Sequence, residues 1–329
     1  MSKVKYLNQP TRVTKISRAK ILKVVEFAHS DYESYFNWLP AGSQKKYREN
    51  CNKIRYELQC EYDPYSKRSV YQHCNKLDCE NCFVTTSSLK SRKINERLME
   101  FRRICYANKI SIDKILHFSL LFRKGKDLFQ THDDFSIYKK KVLYPMLKAM
   151  GVIGGVMFLH IWSNVCKLCG EKEYYCRCSE EERVFEKKIS IHVHVLGFGY
   201  LMAKHEFKEK YKDCHYWNHL PRRSNAYYTI FYILSKIALW KGTKKIKDCC
   251  NYFGFLHPSK FKIIERSKTK LMDKCPECDT PRYISKIENK IMDHKVYWET
   301  KVQHKKYKIV GIDILRDLVK ELYKGRENT

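Results

Sequence analysis

The chain lacks any run of 18 apolar residues, so no membrane-spanning helix is expected. Residues 1–20 are polar and basic with no apolar centre, so no export signal is expected either. There is no Gly-x-x-x-x-Gly-Lys-Ser/Thr loop, which excludes an ATPase of the P-loop kind. A His-Glu-x-x-His helix and a deaminase signature are also missing, which argues against zinc hydrolases of those folds. No internal repeat is visible, and no stretch has the composition of a disordered segment. Acidic residues are scarce, with 36 Asp and Glu against 65 Lys and Arg and a net charge of +29. Such a surplus exceeds what solubility requires and implies a polyanionic partner. Nucleic acid is the leading candidate, and an acidic membrane surface is the rival. At 329 residues the chain can bury at least one large core and two or three units.

Cysteine is abundant, with 15 residues, many in close pairs. Without an export signal, thiolates on zinc in a reducing compartment are expected rather than disulfides. Cys74, Cys79 and Cys82 form one cluster, with Cys60 preferred over Cys51 and His73 as the fourth ligand. Cys166, Cys169, Cys176 and Cys178 form a second, four thiols within 13 residues. Cys275 and Cys278 form a weaker pair that Cys249 and Cys250 could complete. Two structural zinc ions are expected, and a third if that pair finds partners. Cys105 and Cys214 read as ordinary buried cysteines.

Along the chain, the apolar stripe Ile21, Val24, Val25 and Phe27 predicts a helix over 18–40, stopped by Pro40-Ala41-Gly42-Ser43. A long helix over 84–109 carries Lys90, Arg92, Lys93, Arg97, Arg102 and Arg103, a basic face that can lie along phosphates. Strands are expected at 115–122, 154–160 and 189–196, and helices at 135–150, 202–213, 226–240 and 311–324. Pro145 inside the 135–150 pattern should kink it. The class is α+β, an antiparallel sheet with flanking helices plus zinc-binding modules. The expected units are a basic segment 1–50, a zinc knuckle and basic helix 51–109, a catalytic domain 110–256 with a knuckle insertion at 161–188, and a basic C-terminal region 257–329.

The strand Ile189-Ser190-Ile191-His192-Val193-His194-Val195-Leu196-Gly197 concentrates the chemistry. Side chains two apart on a strand share a face, so His192 and His194 project together, away from Ile191, Val193 and Val195. Two imidazoles so placed make half of a metal site. His160 is the expected third ligand, with Glu186 and His117 as rivals. In the helix 226–240, Tyr228, Tyr232 and Lys236 lie at i, i+4 and i+8 and share a face. A tyrosine hydroxyl can attack phosphorus and hold it covalently, and a lysine can neutralise the developing charge. Tyr227 points elsewhere and should be structural.

These motifs resemble the HUH endonucleases, above all archaeal plasmid and virus rolling-circle replication initiators, relatives of HUH transposases. Leu116-His117-Phe118-Ser119-Leu120 is similar to the first family strand. Gly154 to His160 looks like the strand before the metal motif, and His192-Val193-His194-Val195-Leu196-Gly197-Phe198-Gly199 like the metal motif itself. Tyr232-Ile233-Leu234-Ser235-Lys236 looks like the tyrosine motif, with Lys236 where archaeal examples commonly have His, and Tyr252-Phe253-Gly254 fits the segment that trails it. Cys74, Cys79 and Cys82 match a zinc knuckle preceding the nuclease. The insertion at 166–178 departs from the family pattern, and the pair Tyr228 and Tyr232 leaves one- and two-tyrosine mechanisms open.

The resemblance implies an HUH-like fold and Mg²⁺- or Mn²⁺-dependent nicking and joining of single-stranded DNA through a 5′-phosphotyrosine, initiating rolling-circle replication. It implies Tyr232 as nucleophile, Tyr228 as a second tyrosine and Lys236 as electrostatic partner. The implied partners are single-stranded, hairpin or origin DNA and host replication proteins or a helicase, with no membrane. The implied setting is the cytoplasm of an archaeal host, with the gene on a plasmid or virus. A transposase of the same chemistry and a non-catalytic multi-zinc nucleic-acid-binding regulator are the alternatives.

Single-stranded DNA binding should therefore fall steeply with salt. If about 6 phosphates are contacted, log K against log salt has a slope near −4. Fluorescence anisotropy across a salt series measures it, and a flat response would point to another kind of partner.

Overall fold

The computed structural model describes residues 31–324 apart from 45–50, 52, 64, 113, 174, 180, 220–221, 243–245, 273, 276, 288–289 and 297. For 268–272, 283, 285–287, 290–296, 298–304 and 323–324 it describes the backbone alone. Strands β1 (Trp38–Pro40), β2 (Ile54–Cys60) and β3 (Lys67–Tyr71) precede the long helix α1 (Phe83–Ala107). After β4 (Leu116–Phe122) come short helices α2 (Gly125–Leu128) and α3 (His132–Tyr138), a π-helical turn (Lys139–Leu143) and α4 (Tyr144–Ala149). Next are β5 (Val152–Cys166), β6 (Phe185–Gly199), α5 (Lys204–Lys210), β7 (Cys214–Asn218) and α6 (Tyr227–Leu234). Strands β8 (Ala238–Lys241), β9 (Ile246–Asp248), β10 (Cys250–Gly254), β11 (Phe261–Met272), β12 (Arg282–Ile287), β13 (Lys290–Val296) and β14 (Trp298–Ile309) lead to α7 (Ile312–Lys324). The class is mixed α+β, and the paired strands are antiparallel.

A five-stranded sheet, in the order β10-β5-β6-β4-β7, separates two apolar layers. On β6, Ile191, Val193 and Val195 pack with Met146, Leu147 and Phe135 from α3 and α4. Leu196 and Phe198 face the other way, against Ile94, Leu98 and Phe101 of α1 and Ile230 and Leu234 of α6. The period of two in the sequence thus becomes two different cores, with His192 and His194 on the α1 and α6 side. Gly155 on β5 and Gly197 on β6 sit opposite each other. A methyl on Gly155 would lie 2.3 Å from the Leu196 carbonyl oxygen.

Several local expectations change in the folded chain. The helix over 226–240 ends at Leu234. There the Ser235 hydroxyl donates back to the Tyr232 carbonyl, the last turn tightens, and Ala238–Lys241 becomes a strand paired with β1. Cross-strand pairing overrides an apolar helical pattern at this point. Of the helix expected at 18–40, residues 18–30 lie outside the described residues, and 38–40 are β1 rather than helix. The 135–150 segment is helical but divided by the π turn, and Pro145 starts its last part. Proline is tolerated at a first turn, where its missing N–H has no helical partner. Helix 202–213 shortens to Lys204–Lys210.

Arg97 does not belong to an exposed basic face. It is buried, donating to the carbonyls of Leu256 and Phe261 and stacking on the Tyr252 and Phe261 rings. A buried charge without such partners costs several kcal/mol, so these bonds fasten α1 to the end of β10 and the start of β11. Lys90 pairs with Asp248, while Arg92 and Lys93 remain exposed. Far from the central sheet in sequence, β2 and β3 join β12 and β13 in a four-stranded sheet, with Cys60 opposite Arg282.

Gly155→Ala should lower the unfolding free energy by about 1–3 kcal/mol, because the strands would have to part around the new methyl. Urea denaturation would show it as a lower midpoint with an unchanged slope. An unchanged midpoint would contradict the close approach.

Candidate functional site

β5 and β6 form a hairpin of two 15-residue strands, and the antiparallel register sets His160 directly opposite His192. His194 pairs with Phe158 on one side and Ser119 of β4 on the other. Residues opposite one another share a face, so three imidazoles converge. Their ring centroids are 4.5–5.1 Å apart, and one nitrogen from each lies within 4.8 Å of the others.

The hydrogen bonds define tautomers. His160 Nε2 donates to the Ile233 carbonyl at 2.9 Å, and His192 Nδ1 to the Ser190 carbonyl at 2.6 Å. A carbonyl only accepts, so each of those nitrogens carries its ring proton. The other nitrogen of each ring keeps its lone pair, the arrangement metal-binding histidines use. His194 Nδ1 lies 2.9 Å from the Ser119 hydroxyl, which is also 2.7 Å from His219 Nε2.

Burial first, and His192 next, hold His160 well below the usual imidazole range. His194 is likewise held well below it by burial, then by His160 and His192. His192 is pushed down to about 4, again chiefly by burial, with the Lys172 and Lys236 ammonium groups adding to it. Two imidazolium rings about 5 Å apart would repel by about 3 kcal/mol at an effective dielectric near 20, so neutral rings are favoured. Neutral imidazoles are the metal-binding form.

Lys236 reaches Tyr232 although the helix ends before it. Its ammonium donates to the Tyr232 hydroxyl at 2.6 Å and to Glu173 Oε2 at 2.6 Å. Asn164 Nδ2 holds the same carboxylate oxygen at 3.0 Å. The Lys236 side chain is 11 % exposed, so removing Glu173 would leave a largely buried charge short of its partner, which is costly. Its charge is felt at both His160 and His192. Ile233, next to Tyr232, provides the carbonyl that takes the His160 proton. The tyrosine helix is thereby tied to the histidine cluster. Tyr232 is 45 % exposed and reachable from solvent. Tyr228, one turn earlier, is also partly exposed and packs edge-on against Tyr227. The Tyr227 hydroxyl bonds with Ser88, a structural contact.

Two residues beside this site carry no motif. Glu173 belongs to the loop between the second cluster's cysteine pairs, and its only sequence signal was that location. His219 follows β7 and stacks on His117 at 4.2 Å, so His117, His194 and His219 form a second close histidine group. His117 therefore lies beside His194 but outside the His160 group, and Glu186, the other rival, pairs with Lys188.

The cysteines gather differently from their spacing. Cys51, not Cys60, joins Cys74, Cys79 and Cys82, with Sγ atoms 3.2 Å from Cys82 and 3.7 Å from Cys79. Cys60 ends β2, and pairing of β2 with β12 carries it to Cys275 and Cys278 instead. Cys249 and Cys250 do not complete that group, because β10 lies on the central sheet, with Cys250 opposite Phe158. Cys166, Cys169, Cys176 and Cys178 do come together at the hairpin tip. The two four-cysteine groups are arranged so that each could hold a zinc ion. Cys105 and Cys214 are buried and stay protonated, their thiols pushed up to about 12 by burial.

Comparison with protein-family models, curated proteins and solved structures gives no match.

Cys51→Ser should remove one zinc per chain by elemental analysis and expose Cys74, Cys79 and Cys82 to alkylation. Cys60→Ser should leave that zinc in place. The opposite pattern would restore Cys60 to the first cluster.

Proposed function

We propose that this protein is a metal-dependent endonuclease of the HUH kind, nicking and rejoining single-stranded DNA through Tyr232 to start rolling-circle replication. One observation carries the reading. Three neutral histidines converge, two of them in a tautomer that leaves a lone pair free, and Lys236 and Ile233 link them to a solvent-reachable tyrosine. The positive surplus of the chain suits a phosphate backbone.

A divalent ion held by His160, His192 and His194 would polarise the scissile phosphate as a Lewis acid. The donor set is all imidazole, which suits later transition metals such as Zn²⁺ or Ni²⁺ best, and of the two expected ions Mn²⁺ fits it better than Mg²⁺. The chain's own groups do the rest. A phenol with an ordinary pKa near 10 is a weak nucleophile at neutral pH. Lys236, donating to the Tyr232 oxygen, stabilises the phenolate as its proton leaves for solvent. Attack forms the bond between the Tyr232 oxygen and phosphorus. The bond to the 3′ oxygen breaks, and that oxygen takes up a proton from solvent. Glu173 and Asn164 keep the Lys236 ammonium over the ring, 4.2 Å from its centroid. Tyr228 is the second tyrosine in a two-tyrosine variant of this reaction. The same chemistry would serve a transposase, and the host and replication partners belong to the same proposal.

Purified protein incubated with a single-stranded oligonucleotide and Mn²⁺ should form a covalent adduct that peptide mapping assigns to Tyr232. Tyr232→Phe should bind DNA as tightly as the unaltered protein and form none. The pair His192→Ala and His194→Ala should abolish adduct formation. An adduct on Tyr228 alone would reverse the assignment. DNA binding with no adduct under any metal would favour a non-catalytic multi-zinc binding protein.

A further inference from the structure

The hydrogen bonds around Cys275 and Cys278 repeat a set found around Cys166 and Cys169. In each, the first sulfur accepts the N–H groups of the third and fourth residues. In each, the fifth residue's N–H donates to the first carbonyl at 2.9 Å, from Gly170 to Cys166 and from Asp279 to Cys275. In each, the first N–H donates to the sixth carbonyl, at 2.8 Å from Cys166 to Glu171 and 2.9 Å from Cys275 to Thr280. The fifth residue has a left-handed backbone in both, with φ +73 at Gly170 and +55 at Asp279. Glycine adopts that region freely and aspartate does so less readily, so the second turn is held there by its surroundings. The first of these turns belongs to a four-thiol group, whereas the second has three thiols.

The third thiol is Cys60, whose Sγ lies 3.3 Å from that of Cys278. Cys60 begins the same pattern, because its sulfur accepts the N–H groups of Tyr62 and Asp63. Asp63 therefore stands to Cys60 as Cys278 stands to Cys275. Hydroxyl groups complete the surroundings. Thr280 Oγ1 is 2.9 Å from the Cys278 sulfur and 3.4 Å from that of Cys60, and Ser66 Oγ is 3.4 Å from that of Cys275. Zinc binds cysteine as the thiolate, and these sulfurs already stand close enough together to share one ion. Buried Cys105 and Cys214 sit in no such cluster.

We propose that Cys60, Cys275 and Cys278 hold a third zinc ion, with the Asp63 carboxylate, which stands outside the three-thiol group, turning in as fourth ligand. Three soft thiolates and one oxygen suit tetrahedral zinc. Asp63 Oδ1 accepts the Tyr65 N–H at 3.0 Å, the kind of outer bond that orients a ligating carboxylate. The ion fastens the end of β2 to the start of β12, joining residues 218 apart in sequence. It is separate from the histidine cluster and independent of the proposed nuclease activity.

The test uses the full chain purified without chelator. Elemental analysis should give three zinc ions per chain, and Cys275→Ser with Cys278→Ser should give two. In case that variant fails to fold, alkylation of the unaltered protein followed by mass spectrometry provides a second reading. Cys60, Cys275 and Cys278 should resist labelling until a chelator removes the third ion, then label together. Asp63→Ala should weaken retention of the third ion at least about tenfold against a zinc chelator. In cobalt-substituted protein it should also shift the absorption bands that the double serine variant loses. Two zinc ions with these three cysteines freely alkylated, or a disulfide between Cys60 and Cys278, would overturn the site. Unchanged retention and spectrum in Asp63→Ala would remove Asp63 from the ligand set.

Discussion

The register of β5 against β6 is the constraint on which the rest depends. A slip of one residue would bring Val193 opposite His160 and turn the β6 histidines toward the core built from Phe135, Met146 and Leu147. Both faces of this hairpin are buried, so both faces resist the slip. Gly155 opposite Gly197 adds a steric lock, because only glycine permits the strands to approach so closely there. The convergence of His160, His192 and His194 is thus a by-product of core packing. The core can hold the rings in place with little freedom, which is what preorganisation of a metal site requires.

Lys236 is the second junction. Its ammonium touches Tyr232 and Glu173, and its field reaches His160 and His192. Glu173 lies on the loop whose ends are the cysteine pairs of the hairpin tip. The segment between these cysteine pairs therefore contributes a carboxylate to the surroundings of Tyr232. Lys187, opposite Asn164 on the same hairpin, is pushed down to about 8 by burial first and then by Lys236. Positive charges are crowded here, and a phosphate is the kind of group that relieves such crowding.

Not all of the basic surplus is available for a partner. Arg97 is buried under carbonyls and rings, Lys90 pairs with Asp248, and Lys305 with Glu96. Lys90 ties α1 to β9, Arg97 ties it to the start of β11, and Glu96 ties it to β14. The helix whose pattern suggested a phosphate-binding surface uses part of its charge to hold strands from much later in the sequence.

The sequence by itself determined whatever depends on near neighbours. The alternation through 191–195 placed His192 and His194 on one face, since a strand has only two faces. The Cys-x-x-Cys spacing at Cys166–Cys169 and Cys275–Cys278 set the knuckle turns, because those hydrogen bonds close within six residues. The i and i+4 spacing put Tyr228 and Tyr232 on one side of α6. Tertiary structure decided what distant segments share. Spacing favoured Cys60 over Cys51 as the fourth ligand, and only the pairing of β2 with β12 sent Cys60 elsewhere. Glu173 and His219 carry no motif; the tip of the β5–β6 hairpin brought in the first, and the pairing of β7 with β4 the second. The strand Ala238–Lys241 looked helical because its apolar residues fit either period, and pairing with Trp38–Pro40 chose between them. Local spacing is written in bond geometry, whereas the choice of a distant partner follows from register and burial summed over the whole fold.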